Sequence, residues 1–139
     1  MSETSRTVPP AGTILGIDHP ALAADDPAAL ADWCRRVLGA ETAGAAPNGA
    51  RLLRLPDGAF LEVMAKDGTP RPARTTFTPG WSHLALRVKD LDAAIAALDA
   101  RGVRWTGAIG EAFGGGRLRN FADPEGNLWQ IVERPRGVA

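Results

Sequence analysis

The feature that most constrains this chain is that it carries one message twice. The segment "GIDHPALAADDPAALADWCRRVLGAE" opens at Gly16, and "GWSHLALRVKDLDAAIAALDARGV" opens at Gly80. Laid together, His19 falls on His83, Leu22 on Leu86 and Asp26 on Asp90. Each copy reads as a strand, an Asp N-cap and a helix. Asp26 caps the first helix and Pro27 takes its first position, where a missing N–H costs nothing. Leu30, Cys34, Val37 and Leu38 make its apolar stripe, and Gly39 ends it. Asp90 caps the second helix, with Leu91, Ala94, Ile95 and Leu98 as its stripe and Gly102 as its stop.

The echo continues downstream. "LPDGAFLEVM" (Leu55 to Met64) matches "DPEGNLWQIV" (Asp123 to Val132), with Pro56 on Pro124, Gly58 on Gly126 and Glu62 on Gln130. Both are Pro-x-Gly turns entering a strand. Further strands fit near Glu41 to Ala45, Arg51 to Leu55, Val103 to Ile109 and Arg117 to Phe121. Each half is therefore βαβββ, and the fold class is α+β. Two copies of one supersecondary unit imply a shared core. We expect a loose tail over residues 1–12 and one domain over 13–133. Its first module spans about 13–65, a linker about 66–80 and the second module about 81–133, with a short tail over 134–139.

Composition narrows the function classes. The 139 residues carry 16 basic and 16 acidic side chains, so the basic excess of a nucleic-acid binder is missing. The lone Cys34 has no partner for an internal disulfide, which points to a reducing, cytoplasmic compartment. No apolar run approaches the ~20 residues of a membrane span, and the first twelve residues have no apolar core of a secretory signal.

Strand alternation then sorts the faces. Leu84, Leu86 and Val88 oppose Trp81, His83, Ala85 and Arg87. Pro20, Leu22 and Ala24 oppose Ile17, His19 and Ala21. Leu61 and Val63 oppose Phe60, Glu62 and Met64, and Trp129 and Ile131 oppose Leu128, Gln130 and Val132. Each half thus offers one donor beside its first strand and one in its last. If the two sheets curve toward each other, His19, Glu62, His83 and Gln130 converge. Two imidazoles, a carboxylate and an amide suit one divalent ion, whether Zn, Ni, Co, Mn or Fe. With Gln130 in the shell the ion keeps a net charge of +1, where two glutamates would neutralise it.

The chain here resembles the vicinal oxygen chelate superfamily, which includes glyoxalase I, the bleomycin resistance proteins and the extradiol dioxygenases. "IDHPALAADDPAALADWCRRVLG", "WSHLALRVKDLDAAIAALDARGV" and above all "NFADPEGNLWQIVE" carry the resemblance, over about Thr13 to Glu133. It implies two βαβββ modules forming a cup-shaped curved sheet with the helices packed outside. It also implies a small-molecule substrate, a homodimer, and a metal held by His19, Glu62, His83 and Gln130. Two departures stand out. The final-strand ligand is usually glutamate, and Trp33-Cys34 occupies the place of an aromatic pair in the first helix.

The expected chemistry is that of a metal-dependent lyase or isomerase of the glyoxalase I type. An enediolate or oxyanion is stabilised at the ion, and Glu62 is the proton-transfer base. An Fe(II) extradiol-type dioxygenase ranks second, because the relatives place their carboxylate where Gln130 stands. A binder of the bleomycin-resistance type, without metal, is a third reading. Phe60, Met64, Trp81 and Leu128 are the expected apolar lining, and Arg87, Arg117 and Arg119 the expected substrate cations. Trp33, Trp105, Trp129 and Cys34 are assigned to the core. "GGGR" (Gly114 to Arg117) is read as a mobile lid.

Overall fold

In the computed structural model, which describes residues 11–139, local signals place the helices. Asp26 accepts a hydrogen bond from the Ala29 N–H, Pro27 opens α1 (Pro27–Leu38), and Gly39 closes it at a left-handed φ of 74°. Asp90 accepts from the Ala93 N–H and opens α2 (Leu91–Ala100), with Gly102 at φ 79° just beyond. Residues 1–10 of the expected tail lie outside the described residues.

The strands are β1 (Ala21–Ala24), β2 (Glu41–Ala45), β3 (Arg51–Arg54), β4 (Phe60–Ala65), β5 (Leu84–Val88), β6 (Arg104–Trp105), β7 (Gly110–Glu111), β8 (Arg117–Ala122) and β9 (Leu128–Glu133). They form two open sheets. One runs β1-β4-β3-β2, the other β5-β9-β8-β6 with β7 also on β8. The repeat holds in the register. β1 runs parallel to β4 with Ala21 opposite Glu62, and β5 runs parallel to β9 with Ala85 opposite Gln130. Of the strand expected near Val103 to Ile109 only β6 forms, and β7 follows just beyond it. Between them the Thr106 N–H donates to the Asn120 carbonyl, and Arg119 Nε donates to the Gly107 carbonyl.

Both sheets and both helices share one core. Leu53, Leu61 and Val63 of the first sheet join Phe121, Trp129 and Ile131 of the second, with Leu30, Trp33, Val37, Leu91 and Leu98 from the helices. Trp33 is the joint, its ring 6.3 Å from Phe121 and 5.9 Å from Trp129. Aromatic residues bury large areas and pack in tilted pairs, so this contact ties the halves together strongly. Glu125 adds a polar tie. Its carboxylate accepts from the Asp25 and Asp26 N–H groups at 2.6 and 2.9 Å and from Arg71 at 3.0 Å, which places an anion at the N-terminus of α1. The fold is α+β, two βαβββ units joined through their helix-facing sides. The other face of each sheet, which bears Glu62 or Gln130, looks away from the shared core. The two open sheets of one chain therefore do not bring these faces together.

Candidate metal centre

Both histidines sit just before an edge strand, two residues ahead of the residue paired with the second donor. His19 leads into Ala21, which lies opposite Glu62, and His83 leads into Ala85, opposite Gln130. In the first half the two donors meet. His19 Nε2 is 3.4 Å from Glu62 Oε2, and the side chains are 33% and 31% exposed. His19 Nδ1 lies 2.7 Å from Asp18 Oδ2. The hydrogen bond that the ring donates to Asp18 raises the imidazole above its ordinary value of 6.5. Burial opposes the rise, and the charges of Asp18 and Glu62 add to it.

In the second half, His83 Nδ1 is 2.8 Å from Ser82 Oγ, whose hydroxyl donates to the Thr76 carbonyl at 2.7 Å. Gln130 Nε2 donates to Asn120 Oδ1 at 3.0 Å. The free atoms left by these contacts are imidazole nitrogens, carboxylate oxygens and an amide oxygen, which fit a divalent first-row ion. The structure brings together His19 and Glu62 in one half, and sets His83 and Gln130 in equivalent places in the other. It does not bring the two halves together in a single chain. Among the described residues, no group of three or more His, Cys, Asp and Glu side chains is placed to hold an ion.

The expected lining residues divide. Phe60 is half-buried beneath Arg54, whose guanidinium carbon lies 5.4 Å from the ring centroid, and Met64 is exposed further along β4. Trp81 is 97% exposed. Leu128 is half-buried in line with Gln130, and Arg87 is exposed on β5 in line with Ala85. Arg117 and Arg119 require correction. Pairing of Arg117 with Glu133, Arg119 with Ile131 and Phe121 with Trp129 puts both arginines on the helix side of the sheet. Arg117 contacts Asp92 at 3.3 Å and Glu133 at 3.4 Å, while Arg119 stacks 4.4 Å over Trp105. The residue across from Gln130 is Asn120, between the two. The side-chain period of a strand is two, so a displacement of one residue exchanges the faces.

Sequence reasoning passed over Arg54, Asp18, Ser82 and Asn120. Arg54 and Phe60 flank the Pro-x-Gly turn as a cross-strand pair, and counting outward from that turn would have found them. The glycine stretch is a tied turn between β7 and β8. Arg134 donates to the Phe113 and Gly115 carbonyls at 2.9 and 2.6 Å, and the Ala139 N–H donates to the Gly114 carbonyl at 2.7 Å. Those bonds tie down the segment expected to be a mobile lid.

Solved structures share this architecture. The fosfomycin resistance protein FosX from Listeria monocytogenes, solved as a variant with Mn(II) and 1S,2S-dihydroxypropylphosphonic acid, is 18% identical. It superposes with a TM-score of 0.68 over 88% of this chain and 92% of that one. A glyoxalase/bleomycin resistance/dioxygenase superfamily member from Sphaerobacter thermophilus DSM 20745 is 22% identical, with a TM-score of 0.70 over 87% and 98%. TioX from Micromonospora sp. ML1 is 22% identical, with a TM-score of 0.65 over 86% and 99%. At these identities the likeness shows the fold. A search of curated proteins finds no match. The family model of the Glyoxalase/Bleomycin resistance protein/Dioxygenase superfamily matches residues 16–131, spanning both copies of the repeat and all four candidate donors, and the chain belongs to that superfamily.

Proposed function

We propose that the protein is a divalent-metal-dependent lyase or isomerase of the glyoxalase I type, acting on a small molecule at sites shared between two copies of the chain. The observation that carries this reading is the pairing of His19 Nε2 with Glu62 Oε2 at 3.4 Å, repeated in layout by His83 and Gln130. Nitrogen from both imidazoles, the Glu62 carboxylate and the Gln130 carbonyl oxygen would hold the ion. When bound, it supplies Lewis acidity that stabilises negative charge developing on a substrate oxygen. Glu62 takes the proton from the carbon next to a carbonyl and returns it to the neighbouring carbon. Phe60, Met64, Trp81 and Leu128 offer apolar surface that excludes water, and Arg54 and Arg87 offer positive charge to an anionic substituent.

The edges support sharing between two copies. β1 and β5 are edge strands, and the segments that lead into them expose Ile14, Leu15 and Ile17, and Phe77 and Trp81. Apolar surface gathered beside an open strand edge is what a partner covers. A two-fold dimer sets the first half of one copy against the second half of the other, twice. Each juxtaposition holds two imidazoles, one carboxylate and one amide. The FosX neighbour, solved with Mn(II) and a vicinal dihydroxy ligand, supports the choice of a divalent ion.

The test is turnover of thiol adducts of a 2-oxoaldehyde and related 2-hydroxy carbonyl compounds, with Zn, Ni, Co, Mn or Fe(II), in air and under nitrogen. The reading expects activity with several ions and indifference to oxygen. Strict dependence on oxygen with Fe(II) alone would make the protein a dioxygenase. Inactivity with every ion, together with tight ligand binding, would make it a binder.

A further inference from the structure

Three of the four donors have a polar neighbour that occupies the atom a metal would not use. Ser82 is the most informative. Its hydroxyl hydrogen is committed to the Thr76 carbonyl at 2.7 Å, so toward His83 Nδ1, at 2.8 Å, the oxygen can only accept. In the neutral ring Nδ1 therefore carries the proton, and Nε2 keeps its lone pair. Asp18 stands at the repeat-equivalent position and engages His19 Nδ1 at 2.7 Å, which directs His19 Nε2 toward Glu62.

Asn120 answers a problem peculiar to Gln130. An amide has one oxygen and one nitrogen, and only the oxygen ligates a cation. Because Gln130 Nε2 donates to Asn120 Oδ1 at 3.0 Å, its Oε1 is the end left free. The matching position in the first half, across from Glu62, is Leu52. A carboxylate has two equivalent oxygens and needs no such selection, so an apolar residue suffices there. The substitution of amide for carboxylate and the polar residue opposite it thus occur together in one half of the repeat.

We propose that Asp18, Ser82 and Asn120 are positioning residues, each holding the non-ligating atom of its neighbour so that Nε2 of His19, Nε2 of His83 and Oε1 of Gln130 are presented to the ion. The proposal rests on the donor set assigned above. It differs in being readable without any metal.

The first measurement is a long-range proton–nitrogen correlation spectrum of the histidine rings in the metal-free protein, at a pH above their titration. Wild type should show His83 protonated at Nδ1. Ser82→Ala should shift that ring toward Nε2–H and leave His19 unchanged, which is the internal control for folding. Ser82→Thr, which keeps the hydroxyl, should restore the wild-type pattern. Asp18→Ala should release His19 in the same way. A wild-type His83 protonated at Nε2, or a ring indifferent to Ser82→Ala, would overturn the assignment. The second measurement is calorimetric titration with Mn(II). Asn120→Ala should weaken binding by about 10–100-fold, the usual cost of losing an outer-shell partner. Asn120→Asp, which still accepts from Gln130 Nε2, should stay close to wild type. Equal affinity in wild type and Asn120→Ala would overturn the role of Asn120. A wild type that binds no ion but shows the predicted tautomers would instead sink the donor-set reading and leave the hydrogen-bond assignment standing.

Discussion

At the scale of single residues, the proposed metal site sets proton and metal in competition for His19. The raised basicity of its ring has a definite sign. The contribution of the imidazolium to stability is complete below about 6.5, the ordinary value, and is lost as pH rises through the higher folded value. Metal binding runs the other way, because a ligand imidazole must be neutral. Affinity for Zn(II) or Mn(II) should therefore begin to fall, on acidification, at a higher pH than an unperturbed histidine would give. Asp18→Asn should move that onset down, and calorimetric titration across pH 5–8 would show it. A pH profile unmoved by the variant would refute the coupling. Glu62→Gln should lower turnover by roughly 10²–10⁴-fold, the loss typical of a positioned base, and steady-state rates on metal-loaded protein would measure it. Cys34 is fully buried, and desolvation pushes its thiol up to about 12. It should resist alkylation in the folded protein and react on denaturation, as mass spectrometry of iodoacetamide-treated samples would record.

At the scale of elements, the turn before β9 depends on Asp123. This carboxylate is 2% exposed. It accepts from the Glu125 and Asn127 N–H groups at 2.9 and 3.0 Å, from Asn127 Nδ2 at 2.8 Å and from Trp129 Nε1 at 3.0 Å. Asp123→Ala would strand these donors and should destabilise the fold by about 2–4 kcal/mol. Urea unfolding followed by tryptophan fluorescence would measure the loss, and a change within error would show that the network is dispensable. Gly116 is as demanding. It sits at φ 106°, and a Cβ there would meet the Glu133 carbonyl oxygen at 1.9 Å. Gly116→Ala should open the β7–β8 turn and lower the melting temperature. The same change at Gly68, where φ is not in the left-handed region and nothing lies within 4 Å, should have little effect.

At the scale of the whole molecule, the packing of the two halves decides where a complete site can form. Trp33 binds the helix side of the first sheet to Phe121 and Trp129 of the second, so Glu62 and Gln130 face away from the core between them. If two chains share each site, sedimentation should give the mass of a dimer. His19→Ala and His83→Ala should each lose stoichiometric metal. Refolded together, the two variants form mixed dimers that carry one intact site and one empty site. Random pairing then restores roughly a quarter of the wild-type metal content. No recovery in the mixture would mean that each site draws its donors from a single chain.

The sequence by itself determined what depends on near neighbours. Asp26 and Asp90 as caps, Gly39 and Gly102 as stops and the matching places of His19 and His83 were legible because capping and periodicity act within a few residues. β2 lies over Glu41–Ala45, where the space between the first helix and the hairpin left room for a strand. The superfamily was legible too, in the turn before Leu128. Pairing across strands was less so. Arg117 and Arg119 were expected beside the site, and Asn120 takes that place, because the face of β8 is set by its register against β9. That register is fixed by Phe121 and Trp129 entering a core with Trp33, 88 and 96 positions earlier in the chain. The same long-range contact chose which sides of the two sheets meet. Alternation can divide a strand into two faces, but only burial against distant residues decides which face turns inward.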